Sequence, residues 1–134
     1  MIDGVQILEV PLSIDPRGSL GVLEFENLKF MPKRLYWLSN IPRDSTRGNH
    51  AHKTLNQIFI LLSGSIDIEI YRGRESETFS LKKEGSALSL TPGLWRSIKN
   101  ASVDAVLVVV CDQPYDEEDY LREFNQYLDW FYAT

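Results

Sequence analysis

Both histidines of this chain stand two residues apart, in the string Arg47-Gly48-Asn49-His50-Ala51-His52-Lys53. In an extended segment, residues two apart project from one face, so the two imidazoles share a surface. Imidazole titrates near neutral pH, and such a pair can take up a proton and return it. That capacity suits chemistry beside a carbonyl, where a carbon-bound proton leaves and an enediol forms. A general base typically contributes about 10²- to 10⁴-fold, so orientation and oxyanion-stabilising groups must supply the rest. With an ordinary imidazole pKa of roughly 6.5, its rate should fall on acidification. Taken alone, a histidine pair is more often structural than functional. A second element has to support it.

Such an element follows. Gln57 and Gly64 trail the pair, and Gly85, Pro92-Gly93, Trp95-Arg96 and Asn100 form a later cluster. Together they resemble the cupin superfamily. Its first motif runs Gly, His-x-His, a glutamate four residues on, then Gly; its second runs Gly, Pro-Gly, a histidine, then an asparagine. The resemblance implies a mostly β, cupin-type double-stranded β-helix, or jelly-roll barrel. Two departures matter. Gln57 stands where the motif has its acid, and Arg96 where it has its third histidine. Glutamine is a weak neutral ligand, and an arginine there brings repulsion in place of a lone pair. We therefore expect neither a metal nor any other cofactor.

The elements that must hold these residues are mostly strands. Ile66-Asp67-Ile68-Glu69-Ile70 alternates strictly, so its isoleucines should face a core. Arg72-Gly73-Arg74 reads as a hairpin turn, with Glu77 to Leu81 returning. Ala87 to Leu90 is a short strand stopped by Thr91-Pro92-Gly93. Ala105 to Val110 is continuous and β-branched, as in a strand buried on both faces. Val5 to Val10, Leu20 to Phe25 and Arg34 to Leu38 are weaker strand candidates. From Asp116 the pattern turns helical, with Tyr120, Phe124, Tyr127, Leu128 and Phe131 at three- and four-residue steps. Glu117, Glu118 and Asp119 suit the start of a helix. The expected architecture is a barrel with one C-terminal α-helix.

Composition narrows the function classes. A length of 134 residues fits one domain, residues 1–134, and 43% hydrophobic content supports one core. A net charge of −5 without a basic cluster argues against a nucleic-acid partner. One or two placed arginines could still neutralise a diphosphate. The longest apolar run, Ala105 to Cys111, is too short to span a bilayer, and the first residues lack a secretory pattern. The expectation is a cytoplasmic protein without membrane contact. Cys111 is the sole cysteine, which excludes an intrachain disulfide and reads as a small buried hydrophobe.

A closer resemblance runs nearly end to end. Asp15-Pro16-Arg17-Gly18-Ser19-Leu20, Lys33-Arg34-Leu35-Tyr36-Trp37, the histidine string, Trp95-Arg96 and Tyr115-Asp116-Glu117-Glu118-Asp119-Tyr120-Leu121-Arg122 resemble the metal-free sugar 3,4-ketoisomerases acting on dTDP-4-keto-6-deoxy-glucose. The resemblance implies that His50 moves a proton from sugar carbon 3 to carbon 4, with His52 orienting it or the sugar. A strand tyrosine would relay a proton between the sugar oxygens. Tyr36 is chosen because only its hydroxyl can do so, although Trp37 could face the site instead and stack on a ring. Arg17 would bind the substrate, its planar fork suiting a phosphate. Arg47, Gln57 and Arg96 complete the expected substrate contacts. The resemblance further implies a homodimer with exchanged N-terminal strands. It also implies a product feeding amino-deoxysugar biosynthesis for O-antigen or S-layer glycans.

Two rival readings stay open at this stage. A cupin-type keto-sugar 3- or 5-epimerase would need an acid and a base on opposite faces of the ring. A non-catalytic module could bind a nucleotide-sugar without turning it over. Trp95 and the terminal aromatics Tyr127, Trp130 and Phe131 read as packing, and Lys53 as a surface charge.

Overall fold

The computed structural model describes residues 1–133. Strands β1 (Val5–Glu9), β4 (Arg34–Ser39), β6 (Gln57–Ser63), β9 (Ser86–Leu90) and β11 (Val106–Cys111) form one antiparallel sheet, in the order β1-β9-β6-β11-β4. Strands β5 (Arg47–His52), β7 (Ile66–Arg72), β8 (Glu75–Leu81), β10 (Trp95–Lys99) and β12 (Tyr120–Leu121) form the second, ordered β12-β5-β10-β7-β8. The short strands β2 (Leu12–Asp15) and β3 (Gly18–Gly21) pair with each other as a two-stranded sheet. One α-helix, α1 (Phe124–Ala133), closes the described chain. This is the expected mostly β, cupin-type jelly roll with its C-terminal helix.

Alternation decides which residues meet between the sheets. Ile66, Ile68 and Ile70 are buried while Asp67 and Glu69 turn outward, as the period of two requires. They meet Phe59, Leu61, Leu88, Leu90, Leu107 and Val109 in the main core. Strand β11 is covered on its other face too. Val108 and Val110 join Ile58, Ile60 and Val10 in a second cluster, with Leu8, Leu23, Leu28 and Phe30 of the N-terminal segment over it. The hairpin between β7 and β8 turns where expected, at Gly73, whose φ of 61° suits glycine.

Two expected elements differ. The strand placed at Leu20 to Phe25 lies earlier, at Gly18–Gly21, and Phe25–Asn27 is a 3-10 turn. The helix expected from Asp116 begins at Phe124. Asp116 instead accepts a hydrogen bond from the Glu118 amide and caps a single 3-10 turn, Glu117–Asp119. Tyr120 and Leu121 then pair with His52 and Ala51 at the open edge of β5. An unpaired strand edge offers hydrogen bonds that override helical spacing. Helix α1 packs outside the second sheet, where Tyr127 is fully buried with Trp95, Leu121 and Ala51. Its hydroxyl lies 2.8 Å from the Gly93 carbonyl and accepts from the Gly73 amide at 2.9 Å.

Candidate active site

Strand β5 is bent before it reaches its histidines. Gly48 and Asn49 both have positive φ, 87° and 38°, and the pairing with β10 shifts register opposite them. This bulge turns the strand so that His50 sits directly across from Arg96. A side chain at Gly48 would be strained by its φ and would crowd the Arg96 carbonyl at 3.2 Å. Ser97 holds the bulge by donating to the Asn49 side-chain oxygen at 2.9 Å.

A hollow of about 400 Å³ opens beside this point, within the range of small-ligand sites. Its lining includes Tyr36, Arg47, His50, Arg96, Tyr120 and Arg122. Nδ1 of His50 makes a short contact with the Gly48 carbonyl, which can only accept, so this nitrogen carries the proton. Its Nε2 lies 3.1 Å from Nε2 of His52. His52 is 1% exposed and lies behind His50, with Nδ1 at 2.9 Å from Asp119 Oδ2. Asp119 is fixed in turn by the Thr54 amide and hydroxyl, both at 2.7 Å from Oδ1.

Arg96 and Gln57 form the floor. Both are 1% exposed, and Arg96 Nη1 donates to Gln57 Oε1 in a short contact. Gln57 Nε2 faces Tyr36 Oη at 3.3 Å and Cys111 Sγ at 3.4 Å. Burial lowers the Arg96 guanidinium to about 10, still protonated at neutral pH. Burial first, then the Arg96 charge, presses His50 down to about 3, and His52 to about 3. Both imidazoles are therefore neutral. Burial raises the Tyr36 phenol, and Arg96 and Gln57 work against that rise.

Of the expected residues, Tyr36, Arg47, His50 and Arg96 line the hollow, while His52 and Gln57 stand one layer behind. Two others fall elsewhere in the single chain. Trp37 follows Tyr36 on β4, so it points out of the barrel and is 63% exposed; the ring stacking weighed for it is not available here. The Arg17 side chain is 90% exposed on the β2–β3 hairpin, paired with Asp15 at 2.7 Å, and lines a separate surface hollow. Sequence reasoning missed Arg34, Asp119, Tyr120 and Arg122 as site residues. Asp119 and Tyr120 fall within the helical spacing that starts at Asp116, and only strand pairing brings Tyr120 against the histidine rings, at 5.0 and 4.5 Å. Arg122 lies 4.0 Å over the Tyr120 ring and pairs with Glu117.

The arrangement offers neutral imidazoles, a phenol and several guanidiniums in one concavity. It can move protons at carbon and oxygen while holding an anionic group. Among the described residues, no three His, Cys, Asp or Glu side chains converge as a metal site would require.

Known proteins resemble this chain closely. The family described as "FdtA: WxcM-like, C-terminal" matches residues 3–131. TDP-4-oxo-6-deoxy-alpha-D-glucose-3,4-oxoisomerase of Aneurinibacillus thermoaerophilus is 33% identical over 115 residues, covering 85% of this chain and 83% of that protein. The solved structure of a mutant of the 3,4-ketoisomerase QdtA from Thermoanaerobacterium thermosaccharolyticum, in complex with TDP-4-keto-6-deoxyglucose, is 30% identical. It superposes with a TM-score of 0.95 and covers 99% of this chain and 97% of that one. The TDP-quinovose 3,4-ketoisomerase WlaRB of Campylobacter jejuni is 35% identical with a TM-score of 0.89, covering 96% and 99%.

Proposed function

This chain belongs to the FdtA, WxcM-like C-terminal family of sugar 3,4-ketoisomerases, and from that membership and the chemistry of its hollow we propose a reaction and the residues that perform it. The protein is an isomerase. It converts TDP-4-keto-6-deoxy-glucose to a TDP-3-keto-6-deoxy-hexose through an enediol, consuming no cofactor.

His50 removes the proton from sugar carbon 3 and returns one to carbon 4. Tyr36 gives its hydroxyl proton to the carbonyl oxygen on carbon 4 and takes one from the hydroxyl on carbon 3. The sum is a keto and a hydroxyl group exchanged, with no net oxidation. His52 sets the ring of His50, and Arg47 with Arg34 and Arg122 suits the diphosphate. The carrying observation is that Tyr36 and His50, from facing sheets, line one hollow with a buried guanidinium at its floor. No metal is needed, because the site already holds a fixed cation where a metal would repel it.

We further assign the working form as a homodimer. The β2–β3 hairpin stands apart from both sheets, with Ile14 and Leu20 exposed. Strand β4 has a free edge, with Leu35 and Trp37 exposed beside it. A hairpin exchanged between subunits would cover these apolar residues and carry Arg17 to the neighbour's substrate. No helix among the described residues is long and apolar enough to cross a membrane. A cytoplasmic setting fits a nucleotide-sugar substrate, and an aminotransferase would consume the product for O-antigen or S-layer glycans.

The test is direct. Incubation with TDP-4-keto-6-deoxy-glucose, followed by NMR, should show the carbonyl at carbon 3. His50→Ala should abolish that product. Activity undiminished in His50→Ala removes His50 as the base. Deuterium entering with inversion at carbon 3 or 5, without carbonyl migration, would replace the reaction with epimerisation.

A further inference from the structure

Arg96 is a fully buried cation that, among the described residues, has no carboxylate partner. Nη2 donates to the Leu94 carbonyl at 2.9 Å, the Phe59 ring lies 5.9 Å away, and Nε has no hydrogen-bond partner. An unpaired buried charge is costly, and a single carboxylate beside it would lower that cost. Position 57 is where the acid would go. A glutamine stands there instead, neutral and 1% exposed.

The glutamine amide has a defined orientation. Arg96 can only donate, so it fixes the carbonyl oxygen of Gln57 toward itself. The amide nitrogen must then face Tyr36 and Cys111. That nitrogen can only donate, so the Tyr36 oxygen accepts from it. Consequently the hydroxyl hydrogen of Tyr36 is not used on Gln57 and can point into the hollow, which Tyr36 lines.

We propose that Arg96 and Gln57 are a positioning pair that acts through Tyr36: the uncompensated guanidinium polarises the amide, and the amide both aims the phenol proton at the sugar and stabilises the oxygen when that proton leaves. This rests on the ketoisomerase reading above and adds to it what makes Tyr36 the proton carrier. In the step concerned, the O–H bond of Tyr36 breaks as one forms on the carbonyl oxygen at carbon 4. The phenolate then takes the proton from the oxygen at carbon 3, so the phenol is restored. Negative charge resides on Tyr36 only between those transfers, and that is when a cation-polarised donor counts most. Keeping position 57 neutral leaves the charge of Arg96 free to act.

Gln57→Glu tests this, because it should stabilise the fold while slowing the chemistry. The new carboxylate neutralises Arg96, and its other oxygen accepts the Tyr36 hydroxyl proton, turning it away from the sugar. Expected are a Tm equal to or above wild type, TDP affinity by calorimetry unchanged, and kcat lower by about 100-fold, the scale of general acid–base assistance. Arg96→Met is the second variant; it removes a buried unpaired charge and should likewise hold or raise Tm while kcat falls. Wild-type kcat in a folded Gln57→Glu or Arg96→Met protein would overturn the proposal, as would losses of kcat only in proportion to lost Tm. Tyr36→Phe separates the two levels. If wild type makes no 3-keto product, or Tyr36→Phe is fully active, the ketoisomerase roles fail; if Tyr36→Phe is inactive and Gln57→Glu is not, the positioning pair alone fails.

Discussion

Nε2 of His50 lies 3.1 Å from Nε2 of His52, and the ring planes meet at 88°. Nδ1 of His50 donates to the Gly48 carbonyl, and Nδ1 of His52 faces Asp119. Nε2 of His50 is thus the nitrogen left to take a proton, and Nε2 of His52 stands within hydrogen-bond reach of it. A proton taken up there can be shared with His52.

The first prediction concerns His52, which does not touch the hollow. His52→Asn should lower kcat while leaving KM nearly unchanged, because the ring nitrogen 3.1 Å from Nε2 of the base is lost. A hydrogen bond to a charged group contributes about 1.5–3 kcal/mol, so the fall should be about 10- to 100-fold. Steady-state kinetics decides it; a change confined to KM would place His52 on the substrate instead.

Asp119 should matter through the same chain. Asp119→Ala removes the carboxylate that faces Nδ1 of His52, so the ring behind His50 is no longer held. It also removes Oδ1, the acceptor of the Thr54 amide and hydroxyl, and leaves Nδ1 of the buried His52 without its partner. We expect a kcat loss of about tenfold or more and a stability loss of about 1–3 kcal/mol, read by turnover and by urea unfolding. A variant as active as wild type would dismiss the chain.

The pH profile should depart from that of free imidazole. Sequence reasoning set the base near roughly 6.5, but burial and Arg96 press His50 to about 3. As far as His50 governs the rate, kcat should stay level from pH 8 to pH 5 and fall only toward pH 3. Stability follows the opposite partner of the equilibrium. The unfolded histidines bind protons below about 6.5 that the folded ones refuse, so stability is full above that pH and drains toward pH 3. Tm should thus drop between pH 7 and pH 5, and less steeply in His52→Asn. A kcat that halves near pH 6.5 would show the base to be solvated.

Arg17 provides a test of the exchanged hairpin. Arg17→Ala should raise KM by about tenfold or more, the scale of a charge-assisted hydrogen bond of about 1.5–3 kcal/mol. Mixed dimers of Arg17→Ala and His50→Ala subunits should regain activity, since one site then has its own His50 and the neighbour's Arg17. Sedimentation should show a dimer, weakened by Trp37→Ala. Mixed dimers with no recovered turnover would return Arg17 to a surface role.

Much of this protein was legible in the chain itself. The alternation of Ile66, Ile68 and Ile70, the continuous run ending at Cys111 and the turn at Gly73 fix strands by side-chain period and backbone freedom alone. The spacing of His50 and His52 put both rings on one face, and adjacency placed Tyr36 and Trp37 on opposite ones. These are local consequences, and a local reading suffices for them. What lay beyond it depended on which strand edges meet. Tyr120 follows a helical spacing, yet it pairs with His52 because β5 had an open edge and an unpaired ladder outweighs a weak helical preference. Likewise only the folding of β6 against β10 brought Gln57 under Arg96 and left that charge without a counter-ion among the described residues. Hydrogen bonds between residues 39 positions apart depend on the closed barrel, so the tertiary structure alone decided which of these side chains act and which support them.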